Sequence, residues 1–222
     1  MRTFDEIFEI AAERKGGADA LETMLEPPLS SEELKTISDD RWLSGMVRSV
    51  FQAGFNWKVV ERMWPAFEEV FERFDPGYCA MLNDDQLAEL LSDKRIIRNG
   101  TKLRSVQENA VFVIDLAREH GSASAFFADW PPETFNELLE TMKKQGSRLG
   151  GATAQYFLRS MGRDGYILSR DVTARLMTEG VIEKPPGSKT SMRQVQDAFN
   201  QWQQQSGRSL KELSRVLAMS TG

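Results

Sequence analysis

The stretch from Met142 to Arg175, MKKQGSRLGGATAQYFLRSMGRDGYILSRDVTAR, limits the fold more than any other part of the chain. A helical pattern stops near Lys144, and Gly146, Gly150 and Gly151 follow in close succession. Glycine there permits a sharp turn and a close approach of another backbone, which a larger side chain would block. Ala152, Ala154, Gln155, Phe157 and Leu158 restart a helix at once, so its first N–H groups face the turn. A helix N-terminus of this kind attracts anions, phosphate among them. Lys143, Lys144, Arg148, Arg159, Arg163, Arg170 and Arg175 stand against only Asp164 and Asp171, a local charge of +5 in a chain that totals −5. The segment predicts two helices joined by a tight basic turn, then a short loop and the start of a third helix.

Positive charge is concentrated in that segment. Residues 1–90 hold 19 acids and 9 bases, whereas residues 176–222 hold 4 acids and 6 bases. A pI near 5.2 argues against a protein that coats nucleic acid, but a local footprint depends on where the charges sit. With 41% hydrophobic and 27% charged residues, the 222-residue chain suits one globular domain, residues 1–222, of two lobes sharing a core. No run approaches the ~18–20 apolar residues of a membrane span, and MRTFDEIFEIAAERKGG is amphipathic and acidic rather than signal-like. A cytoplasmic protein without membrane contact is expected. One cysteine, Cys79, and one histidine, His120, exclude an internal disulfide and any zinc site built from those residue types.

Almost everything reads as helix. Phe4, Ile7, Phe8 and Ala11 recur at helical spacing before Gly16-Gly17, and Ser30 or Ser31 can cap a short helix. Asp39 or Asp40 can cap the helix of Leu43, Met46, Val47, Val50 and Phe51, and Asn56 the next, in which Pro65 marks a bend or the first turn. Asn83 and Gln86 form a capping-box pattern, and Ile96 to Ala117 suits a long central helix reached through Asn99-Gly100. Phe126, Phe127 and Trp130 fall in an expected loop. A hairpin element spans about 133–162, and two closing helices span about 191–219. The fold class is all-α, with about ten or more helices and no strand.

Two resemblances add to this reading. Leu149-Gly150-Gly151-Ala152-Thr153-Ala154 resembles the helix-hairpin-helix DNA-binding element, whose usual hairpin is Leu-Pro-Gly-φ-Gly, with slightly shifted glycine spacing. Separately, Phe51-Gln52-Ala53-Gly54-Phe55-Asn56-Trp57 is similar to the Gln-Ala-Gly-Leu-Ser-Trp stretch of bacterial 3-methyladenine DNA glycosylase I. FERFDP (71–76) and IIRNGTKLRSVQENA (96–110) resemble that family's later segments in the same order, so the likeness spans roughly residues 40–175. It implies a two-lobed helical glycosylase that excises alkylated purines such as 3-methyladenine from damaged double-stranded DNA in base excision repair. A monomer associated with the nucleoid is implied as well.

The resemblance also implies the site residues. Gly146, Arg148, Gly150, Gly151, Thr153 and Lys144 are expected to contact DNA. Glycosylases extrude the target nucleotide into a pocket, and a cationic alkylated base favours an aromatic face. Trp57 is the main pocket candidate, with Trp42 and Phe51 on the neighbouring helix. The family's base-recognising Glu falls on Ser49, and the catalytic Asp of other superfamily members falls on Ser169. Asp171 is the nearest candidate acid, about 200° further round a helix. Arg98 and Lys102 match family positions near the second lobe, where either can contact phosphate or simply occupy a solvated helix face. The family's later zinc ligands fall on Asp171 and Arg175, so no zinc is expected, and the only ion considered is a monovalent cation at the hairpin. The competing reading is a glycosylase-fold DNA-binding protein without catalysis.

Overall fold

The computed structural model describes residues 1–221, and among them fourteen α-helices occur without a strand. In chain order they are α1 (Phe4–Lys15), α2 (Ala18–Glu22), α3 (Ser31–Lys35), α4 (Asp39–Gln52) and α5 (Trp57–Val70). Next come α6 (Pro76–Ala80), α7 (Asp84–Ser92), α8 (Gly100–His120), α9 (Ala123–Asp129) and α10 (Phe135–Gln145). The last are α11 (Ala152–Ser160), α12 (Arg170–Thr178), α13 (Lys189–Ser206) and α14 (Leu210–Met219). The chain divides into two compact units, one of residues 30–130 and 139–161, the other of residues 1–29, 131–138 and 162–222. No helix among the described residues is long and apolar enough to cross a membrane.

The first unit is built around α4 and α8. Trp42, Leu43, Met46, Val47, Val50 and Phe51 give α4 a fully buried face, and Leu103, Val106, Ala110 and Val113 give α8 the same. Local chemistry fixes the helix starts. Asn56 and Asn99 accept hydrogen bonds from the backbone N–H groups of Lys58 and Lys102, and Asn83 with Gln86 forms the anticipated capping box. Pro65 lies inside α5 rather than in its first turn. After α5 the chain makes a left-handed turn, with φ of 49°, 56° and 61° at Glu72, Arg73 and Phe74. That turn is strained for side-chain-bearing residues, and burial offsets the strain. Phe74 is fully buried and stacks on Trp64 and Phe71 with centroids 5.3 Å away in each case.

In the second unit Tyr166 stacks on Phe199 at 4.5 Å and meets Phe135 edge-on at 4.8 Å. The Asp164 carboxylate accepts the N–H groups of Leu210 and Lys211, at 3.2 and 2.8 Å, and so closes the start of α14. Glu179, 5% exposed, accepts from Arg2 N and Nη1, both at 2.9 Å, and from Arg175 Nη1 at 3.2 Å. Arg175 also reaches Ser220 Oγ at 2.8 Å. These bonds join the beginning and the end of the described chain. Removing one partner would strand a buried charge, at a cost of about 3–5 kcal/mol.

Three local expectations change. Residues 123–129 form α9 rather than a loop, because Ser122 caps it and Asp39 accepts the N–H of Ala123 at 2.9 Å. Ser38 holds the N-cap position of α4, and Asp39 and Asp40 stand in its first turn. Arg163 and Arg175 are 4% and 8% exposed, so two of the seven cations of the basic stretch serve internal hydrogen bonds instead of the surface. Trp42 also belongs to the core: it is fully buried, stacked on Phe127 at 4.5 Å and edge-on to Phe157 at 5.9 Å. Its Nε1 has no hydrogen-bond partner. Trp42→Ala should therefore cost about 3–5 kcal/mol in urea unfolding, and Trp42→Phe, which gives up no hydrogen bond, only about 1–2 kcal/mol.

Candidate active site

Helical spacing aligns Arg41, Ser44, Arg48 and Gln52 on the face of α4 away from the core, and Trp57, Glu61, Trp64 and Glu68 on the facing side of α5. A ladder of polar contacts joins the two rows. At one end Glu68 accepts both Nη groups of Arg41 at 2.9 Å, Ser44 Oγ at 2.8 Å and Trp64 Nε1 at 3.0 Å. At the other, Gln52 Nε2 donates to Glu61 Oε1 at 2.9 Å. Between them the Arg48 guanidinium lies 4.6 Å from the Trp64 ring centroid. Burial pushes the Glu68 carboxyl up, but the donors from Arg41, Ser44 and Trp64, with the charge of Arg41, outweigh it and hold Glu68 below its ordinary value.

The second hairpin helix closes the space. α11 comes close to α4 at Gly45, where a Cβ would stand 2.5 Å from Met161 Sδ and 3.2 Å from Phe157 Cε2. A cavity of about 460 Å³ results, lined by Arg48, Gln52, Trp57, Glu61, Tyr156 and Arg159 among others. Trp57 is 49% exposed and meets Tyr156 edge-on, with centroids 5.4 Å apart and planes at 87°. About half of Trp57 is thus open to the cavity and to solvent. The volume lies within the roughly 300–1,000 Å³ of small-molecule sites.

Lys102 fixes the loop that presents Trp57. It is 5% exposed and donates to the carbonyls of Ala53 and Phe51 at 2.6 and 3.3 Å, while its ammonium sits 4.6 Å from the Phe55 ring. Burial, with Arg148's charge adding to it, pulls its pKa down. Lys102 thus closes the C-terminal end of α4 rather than extending from a solvated helix face. Arg98 remains exposed.

The glycine turn forms as expected between α10 and α11. A Cβ at Gly146 would lie 2.6 Å from Leu149 Cδ1 and 2.9 Å from the Met142 carbonyl, and Gly151 adopts φ 58°, ψ −131°. No side chain caps α11, so its first N–H groups stay available. Fully buried Asn109 clamps the turn by donating to Ser147 O at 3.0 Å and accepting from Ser147 N at 2.8 Å. Arg148, Gly150, Thr153 and Lys102 line one cleft of about 420 Å³. Lys144 is exposed and 3.9 Å from Glu140.

The structure separates the sequence candidates. Trp57 borders the cavity, whereas Trp42 and Phe51 are fully buried, Phe51 against Phe67 at 4.7 Å. Both lie on the core face of α4, as does Ser49, which is 6% exposed. In the other unit Ser169 accepts from Val172 N as the N-cap of α12, and Asp171 is exposed in its first turn. The metal-ligating residue types are scattered among the described residues. No group of three or more His, Cys, Asp and Glu side chains could hold a metal. Arg175 is committed to Glu179 and Ser220, and burial, chiefly, with Asp75 adding, pushes the Cys79 thiol up to about 12. Sequence reasoning missed Tyr156, Glu61, Gln52 and Asn109. Tyr156 could have been found as an aromatic on the outer face of α11, and Glu61 as the residue one turn after Trp57.

Two outcomes follow from this geometry. Glu68→Gln should destabilise the protein most at neutral pH. Because the folded-state pKa of Glu68 is depressed, its contribution is present above the ordinary carboxyl value of 4.5 and is lost as pH falls through the lower folded value. Urea midpoints of wild type and variant should converge on acidification. Asn109→Leu leaves the Ser147 amide unpaired and should cost roughly 2–3 kcal/mol, read by urea unfolding, with faster amide exchange at the hairpin.

Comparison with known proteins gives the family and the fold. A sequence model of the methyladenine glycosylase family matches residues 34–148, just over half of the chain. The 3-methyladenine DNA glycosylase I of Staphylococcus aureus is similar in structure, with TM-score 0.52 and 21% identity over 56% of this chain and 77% of that one. The 8-oxoguanine DNA glycosylase of Methanocaldococcus jannaschii is similar over 94% of this chain and 90% of that one, at TM-score 0.57 and 16% identity. Its complex with a 15mer DNA containing 8-oxoguanine gives 0.53 and 17% over 96% and 95%. The shared fold is that of the helical, hairpin-bearing DNA glycosylases. The chain belongs to the methyladenine glycosylase family.

Proposed function

We propose that the protein is a DNA glycosylase that hydrolyses the N-glycosidic bond of alkylated purines such as 3-methyladenine in duplex DNA, opening base excision repair. The observation that carries this reading is the open cavity with Trp57 half exposed on its wall. An extruded purine stacks on the indole, and a positively charged base gains further from the ring face. Alkylation weakens the glycosidic bond, so the site needs to hold the base and admit water more than it needs a strong acid. Water attacks the sugar carbon, the bonding pair leaves with the base and neutralises it, and a proton passes to solvent. Arg148, Gly150, Thr153, Lys144 and the free N–H groups of α11 would grip the backbone phosphates. The protein would act as a monomer on nucleoid DNA in the cytoplasm, without zinc, and a monovalent cation would suit the hairpin carbonyls.

A second reading, a glycosylase fold that binds DNA without catalysis, draws support from Ser49 and Ser169 standing where relatives of this fold carry acids. Release of 3-methyladenine from alkylated duplex DNA separates the two. Wild type should release the base, and Trp57→Ala should lower the rate by at least about tenfold while thermal stability shifts by no more than about 2 °C, because the side chain is half exposed. No release by wild type, together with binding whose salt slope falls by about 0.9 for each of Arg148→Ala and Lys144→Ala, would establish the second reading.

A further inference from the structure

Among the residues that line the Trp57 cavity, Glu61 is the only acid. It follows Trp57 by one turn of α5, so carboxylate and indole share a face. Gln52 reaches across from α4 and orients one carboxylate oxygen at 2.9 Å. Arg48 Nη1 stands 3.7 Å from the other oxygen, with its guanidinium over the Trp64 ring, and Arg159 lines the same cavity. Arg41 is taken up by Glu68 and Asp40, each at 2.9 Å. The Glu61 side chain is 48% exposed, which leaves its carboxylate open to a ligand on the indole.

We infer that Glu61 is the specificity-determining residue of the cavity, the counter-charge that selects a cationic purine over a neutral one. The inference rests on the reading of this cavity as the base site. A purine alkylated at N3 while still joined to its sugar carries a unit positive charge, and an undamaged purine carries none. Stacking on Trp57 favours both, whereas a carboxylate beside the stack favours only the cation. Ser49 offers no such charge, being buried on the core face of α4. The competing role for Glu61 is a surface ion pair with Arg48, which at this distance and exposure would contribute little to stability.

Equilibrium dialysis with two small probes tests it: 3,9-dimethyladenine, a permanent cation, and neutral 9-methyladenine. The extra methyl is common to every comparison, so the ratio of the two affinities is read between proteins. Wild type should prefer the cation, and Glu61→Gln should cut that preference about tenfold with no change in melting temperature. Glu61→Asp should retain part of it, and Trp57→Ala should weaken both probes. An unchanged preference in Glu61→Gln, or no preference in wild type, overturns the inference. The glycosylase reading fails separately: it falls if wild type releases no base from alkylated DNA even where the preference is found. Release by wild type with an unaltered preference in Glu61→Gln removes Glu61 alone.

Discussion

The Glu68 carboxylate is the joint on which the site depends. Charge-assisted hydrogen bonds from Arg41, with a further donor on Ser44, tie α4 to α5 at one end of the cavity, and Trp64 steadies the carboxylate from within α5, where burial alone would disfavour a charge. Gln52 and Glu61 join the same helices at the other end of the cavity. Two apolar faces would close on each other until their side chains interdigitated. Two rows of long polar side chains keep a gap, and α11 roofs it.

Much of the fold was legible because helix signals are local. Caps at Asn56 and Asn83, the turn at Asn99-Gly100 and the glycine turn after Lys144 all depend on residues within one turn of each other. The helix at 123–129 was not legible, because closely spaced phenylalanines give no clean period and one of its N–H partners, Asp39, is remote in sequence. For the site, aromatic identity was visible but facing was not. Trp42 and Phe51 share a helix with the cavity wall yet lie on its core face, while Trp57 follows a capping Asn and emerges. Tyr156, Glu61 and Asn109 acquire their roles from partners on other helices, which no single periodicity reports.

The buried ion pairs of the second unit bear on the segments to which the resemblance assigns metal ligands. The resemblance places metal ligands near the N-terminus and in a later segment, where this chain has Asp171 and Arg175. Arg2, Glu179, Arg175 and Ser220 join the beginning and the end of the described chain within one unit by hydrogen bonds and ion pairs. Such a joint responds to pH and, at its exposed Arg2 end, to salt. It also accounts for a basic stretch whose surface charge is smaller than its composition suggests.

Gly45 carries a consequence for the wall of the cavity. The distance between α11 and α4 is limited there by a missing atom, since a Cβ would meet Met161 and Phe157. One methyl group at that position would force the flexible Met161 side chain aside and press on the ring of Phe157, the residue after Tyr156. The packing behind the Trp57–Tyr156 pair thus rests on an absent atom, and the wall of the cavity is set partly by a residue with no side chain to offer a ligand.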